Sequence, residues 1–351
     1  MHIAAFGMQT KHDAMQKVRL ADPLTNMAAT KRASYDLYFG GLPDPKLTPK
    51  DVTPPDIAWF YRTHVGTGPN VMTFAERGGL LVLDLDDHPG FLINHTKSDF
   101  LTLRNVHAVM ASTASLAAVI RQINPNVYVV KNAVSDVQQS QAITAKRHDG
   151  PLRVLYGALN RADDWTEQCA ALAPYFQTHS ADFTVTVIFD KKVANSLRSS
   201  IPVQFIPLVK YQSYLDQVRQ ADVMLMPLRD TPFNCTKSDL KLIECLANGT
   251  VPIISETMAK ITTVPDTCYL VARTPMDWGT HLTALRSQPD LLHAIRQTGL
   301  AHVRAHRTME QQADRRLNIL SALQSTHSIL QYQRLQRLLP RDEHSPYPKF
   351  T

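Results

Sequence analysis

Cysteine is scarce in this sequence, and long apolar runs are missing from it. The four cysteines form no C-x-x-C pair and join no histidine cluster, so no zinc site or disulfide framework is indicated. No stretch approaches the roughly 18 consecutive apolar residues that a transmembrane helix needs, and the N-terminal residues lack the apolar segment of a signal peptide. We therefore expect reduced thiols, no membrane span and a cytoplasmic protein, with peripheral contact at the inner membrane face left open.

Charge of one sign is not concentrated anywhere in the chain. Lysine and arginine number 37 against 31 acidic residues, which gives a net charge of +6 over 351 residues. This mild excess suits a phosphate-bearing small molecule or an anionic membrane surface. Without aromatic-basic interleaving or a basic stripe, it does not indicate nucleic acid. The hydrophobic fraction of 44% is typical of a globular protein rather than a disordered one, and the length predicts two domains.

Short apolar strands alternate with helices in both halves of the chain, which is typical of parallel sheets with helical crossovers. The strands are predicted at 3–7, 80–85, 106–111, 127–130, 152–159, 183–189, 203–207, 222–228 and 251–255. Helices are predicted at 13–30, 99–105, 113–123, 163–176, 211–221, 281–320 and 322–338. The polar residues 135–150 carry no periodicity and are interpreted as a linker.

Residues 222–255, DVMLMPLRDTPFNCTKSDLKLIECLANGTVPIIS, carry the clearest chemical pattern. DVMLMPL predicts a buried strand, and a helix is expected to begin near residues 236–238 and to end at a left-handed Gly249. The start of that helix would face the carboxyl edge of the sheet, where its free N–H groups favour an anion. Lys237 and Lys241, four residues apart on one face, would add positive charge there.

Glu244 lies two helical turns after Lys237 and shares its face. A carboxylate accepts two hydrogen bonds from vicinal hydroxyls, which is how proteins commonly hold a ribose. Phosphate-binding groups at the helix start and a ribose-binding acid further along would together hold a nucleoside diphosphate. Solvated surface side chains are the alternative for these residues, and the surrounding pattern favours ligand binding.

This block resembles the donor-binding region of GT-B glycosyltransferases, most closely family 4. In that family the second acid of a Glu-x7-Glu motif holds the donor ribose, and this position falls on Glu244. The first acid falls on Thr236, a departure shared by a bacterial subset with a similar Phe-Asn-x-x-Lys-Ser-Asp-x-Lys run. The resemblance implies that Lys237, Ser238 and Lys241 contact the donor diphosphate.

A second block, LRVLYGALNRADDW, resembles the first strand and glycine loop of the family's C-terminal domain. Gly157 would let the backbone approach a phosphate, although turn geometry alone also explains a glycine there. Arg161 is a further candidate contact to the diphosphate. The segments LLVLDLDD and VHAVMASTASLAAVIRQINPNVYVVKNAV resemble the last strands of the acceptor domain.

The run Asp84, Asp86, Asp87 and His88 follows an apolar strand and admits a metal-binding interpretation. Asp-x-Asp in that position is the manganese-diphosphate signature of the other glycosyltransferase fold, GT-A. Short acidic pairs after strands more often form turns or caps, so we predict no metal and no cofactor. Asp86 remains the candidate catalytic residue, which would orient an acceptor hydroxyl.

The resemblance implies a GT-B α/β fold, in which two Rossmann-like domains face a cleft and a C-terminal helix crosses back. Residues 1–140 would bind the acceptor, residues 141–320 the nucleotide-sugar, and residues 321–351 would form the crossing helix and tail. The predicted activity is sugar transfer, with retention, from a nucleotide-activated donor to a glycan or lipid-linked hydroxyl acceptor in surface polysaccharide or glycan synthesis. A catalytically degenerate nucleotide-sugar-binding module and a GT-B-like epimerase remain the alternatives.

Overall fold

The computed structural model describes residues 1–7, 14–39, 55–62, 77–92, 99–137 and 150–339, together with Phe74 and Thr96. Most of the predicted linker, residues 138–149, lies outside the described residues. The chain divides into two compact units. The first comprises Met1–Ala133, Thr236–Ser238 and Met309–Thr351, and the second comprises Val134–Cys235 and Asp239–Thr308.

The first unit contains a sheet of parallel strands. They are β1 His2–Gly7, β2 Ser34–Phe39, β3 Ile57–Tyr61, β4 Leu80–Leu85, β5 Ala108–Ala111 and β6 Val127–Val129, in the order β2-β1-β3-β4-β5-β6. Its first helices are α1 Ala14–Gln16, which continues through a π-helical stretch Lys17–Ala21 into α2 Asp22–Ala29, then α3 Leu101–Asn105 and α4 Ala114–Arg121. Strands β3 and β4 are buried at every position, as expected for a parallel sheet covered on both faces.

The second unit contains another parallel sheet. Its strands are β7 Leu152–Gly157, β8 Phe183–Ile188, β9 Val203–Ile206, β10 Val223–Met226, β11 Val251–Ser255 and β12 Leu270–Ala272. Its helices are α5 Ala162–Gln168, α6 Leu172–Thr178, α7 Lys191–Leu197, α8 Tyr211–Gln220, α9 Leu240–Ala247, α10 Glu256–Ile261, α11 Asp277–Ser287 and α12 Pro289–His306. The strand order β12-β11-β10-β7-β8-β9 is that of a doubly wound Rossmann sheet, and its order reverses between β7 and β10.

Two C-terminal helices return to the first unit, α13 Met309–Ser325 and α14 His327–Leu338. Leu317 and Leu320 of α13 join the core formed by Leu24 of α2 and Trp59 of β3. The C-terminal segment is therefore part of the hydrophobic core of the first unit. No helix among the described residues combines the length and the hydropathy needed to cross a membrane.

Several elements differ from the sequence-based expectation. The predicted helix over 281–320 is three helices, because Pro289 opens α12 and the chain leaves helical geometry at Gln288 and Arg307. Helix α9 begins at Leu240, later than expected, after a 3-10 turn at Asn234–Thr236. The side chain of its N-cap residue, Asp239, binds Arg307 instead of capping the helix. The left-handed Gly249 is confirmed, with φ of 64°.

Candidate functional site

The loops after β7 and β10 lie at the carboxyl edge of the second sheet, where its strand order reverses. Ligands of open α/β sheets bind at this switch point. Gly157 ends β7, and Arg161 follows it in the first of these loops. The second loop leads to α9, which carries Lys241 and Glu244. The fold therefore places four of the residues selected from the sequence on elements at or next to the switch point.

Glu244 is almost completely buried, at 2% exposure. The hydroxyl of Tyr211, from the start of α8, donates a hydrogen bond of 2.5 Å to its Oε1. Burial raises the pKa of Glu244, whereas the charge of Lys241 and the hydroxyls of Tyr211 and Tyr214 oppose the rise. A buried carboxylate needs hydrogen-bond donors, because an unsatisfied buried charge is costly. The donors that surround Glu244 are hydroxyl groups.

Tyr214 lies between Glu244 and the glycine loop. The ammonium group of Lys241 is 5.2 Å from the centroid of its ring, a cation–π distance. A Cβ atom added at Gly157 would lie only 3.2 Å from Tyr214 Cε2. Gly157, Tyr211, Tyr214, Lys241 and Glu244 are referred to below as the Glu244 cluster. Close packing against the ring of Tyr214 therefore explains the glycine at position 157. The approach of a ligand to the backbone would be a second reason for it.

Arg161 is fixed by a buried acid that the sequence analysis did not select. Its Nη1 donates to Asn234 Oδ1 at 2.6 Å and to Asp164 Oδ2 at 3.1 Å. Asp164, at 2% exposure, also accepts from the Nε of Arg229 at 3.1 Å and from Asn234 Nδ2 at 3.1 Å. These contacts join the loop after β7 to the loop after β10. They hold two partly exposed guanidinium groups at the sheet edge.

Lys237 and Ser238 belong to the first unit, where both are half-buried. Lys237 pairs with Asp87, and Asn132 Nδ2 donates to Ser238 Oγ at 2.8 Å. Arg62 bridges the two neighbouring acids, with Nε on Asp86 and Nη2 on Asp87. The structure thus places the acids that follow β4 beside one of the predicted diphosphate residues.

Asp86 is 4% exposed and also accepts a 3.3 Å hydrogen bond from the hydroxyl of Tyr61. Burial raises its pKa, with Arg62 opposing and Asp87 adding to the rise. Burial lowers the pKa of Arg62, but its electrostatic interactions with Asp86, Tyr61 and Asp87 raise it above its usual value. Arg62 has φ of 48°, a left-handed backbone that is costly for a non-glycine residue and is concentrated at functional sites. The sequence analysis did not select Arg62.

Asp84 lies apart from these acids in a fully buried pair with Arg19, whose Nε is 2.7 Å from its Oδ1. Both acids of the Asp-x-Asp pair are therefore held by arginines. Within the described ranges, no group of three or more histidine, cysteine or acidic side chains is arranged to hold a metal ion.

Two six-stranded parallel sheets with flanking helices define a GT-B fold. No protein-family model matches the chain, and no curated protein matches its sequence. Solved structures do match. HepE of Anabaena, in complex with UDP, has a TM-score of 0.66 at 12% identity, over 92% of this chain and 100% of that one.

Two synthases show the same likeness. Trehalose 6-phosphate synthase from Burkholderia multivorans has a TM-score of 0.62 at 12% identity, over 97% of this chain and 99% of that one. Sucrose-phosphate synthase from Thermosynechococcus elongatus has a TM-score of 0.63 at 12% identity, over 93% and 99%. At such low identity, these likenesses show the fold.

Proposed function

We propose that the protein is a glycosyltransferase that moves a sugar from a nucleotide-activated donor to a hydroxyl acceptor, in the manner of family 4. The observation that carries the proposal is the position of Glu244, buried on the helix that follows the switch-point strand β10. The structural relative HepE is known in complex with UDP and with UDP-glucose. A uridine nucleotide is therefore the first donor to test.

In this proposal Glu244 accepts hydrogen bonds from the ribose hydroxyls of the donor. The site is already suited to hydroxyls, because Tyr211 supplies one at 2.5 Å. Lys241, four residues from Lys237 and three from Glu244, adds positive charge beside it. A nucleotide with a 2′-deoxyribose should therefore bind more weakly than its ribose counterpart.

The diphosphate is proposed to contact Gly157, Arg161, Lys237, Ser238 and Lys241. Cationic groups and backbone N–H groups would stabilise the charge that develops on the diphosphate as the sugar leaves. Arg161 is held by Asp164 and Asn234, so little conformational entropy is lost when it meets a ligand. Lys237 is paired with Asp87, so a phosphate would compete with that carboxylate.

Asp86 is proposed to orient the acceptor hydroxyl. Its bonds to Arg62 and Tyr61 hold it in one position. We further propose that transfer retains the anomeric configuration, needs no metal and serves polysaccharide or glycan synthesis at the cytoplasmic face of the membrane. NMR of the product's anomeric proton and activity in EDTA would test the first two statements.

The first experiment is thermal stabilisation of the whole chain by UDP-, GDP-, ADP-, dTDP- and CMP-linked sugars, with and without EDTA. A ligand at 100 times its Kd adds about 2.7 kcal/mol of stability, a shift that is easily measured. Glu244→Gln should abolish a selective shift. The matched control is Glu256→Gln, which changes a half-exposed glutamate of the same unit and should leave the shift intact. No shift with any nucleotide would refute the proposal.

A catalytically degenerate nucleotide-sugar-binding module is the second candidate. Thr236 replaces the first acid of the family motif and is 4% exposed, and Asp86 is engaged by Arg62. In this candidate the chain lacks the first acid of the motif, and Asp86 serves its ion pair with Arg62 instead of orienting an acceptor. Selective binding of a nucleotide-sugar without turnover against glycan and lipid-linked acceptors would favour this candidate over the transferase.

A further inference from the structure

A chain of hydrogen bonds links a buried ion pair of the first unit to Ser238. Arg19, fixed on Asp84, directs its Nη1 to Val130 O at 2.5 Å and to Asn132 Oδ1 at 3.0 Å. The other end of the same amide, Asn132 Nδ2, donates to Ser238 Oγ at 2.8 Å. The groups at the origin of this chain are buried, with Arg19 and Asp84 at 0% and Asn132 at 1% exposure.

The direction of each bond follows from the chemistry of its groups. A guanidinium only donates, so the atom of Asn132 that faces Arg19 is its carbonyl oxygen. The amide nitrogen must then face Ser238, and because that nitrogen only donates, Ser238 Oγ accepts. The hydroxyl hydrogen of Ser238 is therefore directed away from Asn132, towards some other acceptor.

We propose that Arg19 and Asn132 are positioning residues that make Ser238 an obligatory hydrogen-bond donor to the diphosphate of the nucleotide. This inference rests on the proposed function, which places Ser238 at the diphosphate. The ionised oxygens of a diphosphate accept hydrogen bonds and cannot donate them. A serine that already accepts from Asn132 has its hydrogen directed elsewhere, so it is oriented in advance to donate to such a ligand. Because Arg19 and Asn132 are buried, water cannot replace either partner and reverse the direction of these hydrogen bonds.

Asn132→Asp tests the direction of these hydrogen bonds with almost no change in the shape of the side chain. A carboxylate accepts from both neighbours, so it would still bind Arg19 but would take the hydrogen of Ser238 for itself. We expect the affinity for UDP, measured by titration calorimetry on the whole chain, to fall at least tenfold, equivalent to about 1.4 kcal/mol. Asn132→Ala releases the hydroxyl without reversing it, so its loss should be smaller.

The new carboxylate also repels the ligand, so a double-mutant cycle with Ser238→Ala separates the two effects. Repulsion acts equally with or without the hydroxyl, whereas reversed polarity acts only when Ser238 is present. Asn132→Asp should therefore cost several-fold more in the wild-type background than in the Ser238→Ala background. Equal costs in both backgrounds would overturn this inference while leaving the proposed function intact. Failure of the wild-type protein to bind any nucleotide would overturn both.

Discussion

Replacing Tyr211 with phenylalanine removes one hydroxyl from the Glu244 cluster and leaves the ring in place. The lost bond measures 2.5 Å and joins a hydroxyl to a carboxylate that is 2% exposed. Hydrogen bonds to charged groups contribute about 1.5–3 kcal/mol. We expect Tyr211→Phe to lower the free energy of unfolding by about 2 kcal/mol at pH 7, measured by urea denaturation.

The pH dependence of this loss of stability provides a second, independent test. Burial raises the folded-state pKa of Glu244, and the Tyr211 hydroxyl opposes that rise. Removing the hydroxyl raises the pKa further, so the variant is penalised most where Glu244 must be ionised. At a pH below the unfolded-state value of about 4.3, the carboxyl is protonated in both states and only an ordinary hydrogen bond is lost. The difference in stability between variant and wild type should therefore be larger above the folded-state pKa of Glu244 than below a pH of about 4.3.

Tyr175→Phe in the same unit is the matched control. Its hydroxyl lies 2.9 Å from the hydroxyl of Thr283 at an exposed position, with no carboxylate as partner. We expect a loss below about 1 kcal/mol, without the dependence on pH. A loss for Tyr211→Phe that is equally small, or one that is no larger at pH 8 than at pH 4, would refute the assignment of Glu244 as a buried, ionisable acceptor.

Two further predictions concern the first unit. Arg19→Met leaves the fully buried Asp84 without its partner, so we expect a loss of about 3 kcal/mol in urea denaturation; a loss under 1 kcal/mol would contradict the buried ion pair. Burial lowers the pKa of His107 to about 3, and its Nδ1 accepts from Leu81 N at 2.8 Å while Nε2 lies 2.7 Å from Gln331 Oε1. A histidine with a depressed folded-state pKa costs stability as the pH falls below its unfolded value of about 6.5. NMR should therefore show His107 neutral at pH 5 with its proton on Nε2, and a protonated ring there would contradict it.

The sequence predicts the fold largely because parallel strands with both faces covered are continuous apolar runs. LLVLDL and DVMLMPL become the buried strands β4 and β10 for this reason. Strand β2, SYDLYF, was not predicted. Its residues are exposed or half-buried at the edge of the sheet, so no apolar run marks it.

Local patterns select site residues within single segments, such as Lys241 and Glu244 on α9 or Gly157 and Arg161 at and after the end of β7, but not the pairs that form between segments. Lys241 and Glu244 were selected partly for their helical spacing from Lys237. Both lie on α9, but Lys237 does not, because the helix begins at Leu240. Tyr211 lies 33 residues before Glu244, and Arg62 lies 24 residues before Asp86. The residues of each pair meet because β3 lies beside β4 in the sheet and α8 packs against α9. No local pattern in a single sequence shows that two such distant residues are in contact.

The buried acids of the described chain differ in what holds them. Of the six buried aspartates among the described residues, five pair with arginine side chains, namely Asp84, Asp86, Asp164, Asp222 and Asp239. The sixth, Asp190, accepts a hydrogen bond from the backbone N–H of Arg161. Glu244 is held instead by the neutral hydroxyl of Tyr211. Freeing any of these five aspartates would leave a buried carboxylate without its arginine, which costs several kcal/mol. Glu244 can exchange one hydroxyl for another at little cost, which is what binding a ribose requires.

The exchange of the Tyr211 hydroxyl for a ribose hydroxyl at Glu244 leads to a testable prediction. If a ribose hydroxyl takes the place of Tyr211 at Glu244 Oε1, the wild-type protein must break one hydrogen bond before it binds. Tyr211→Phe has no bond to break, so it should bind UDP at least as tightly as the wild type even though it is less stable. Titration calorimetry with UDP measures the affinity, and Glu244→Gln should bind more weakly in the same assay. If Tyr211→Phe instead lost affinity as Glu244→Gln does, the tyrosine would be a ligand of the nucleotide and not a stand-in for it.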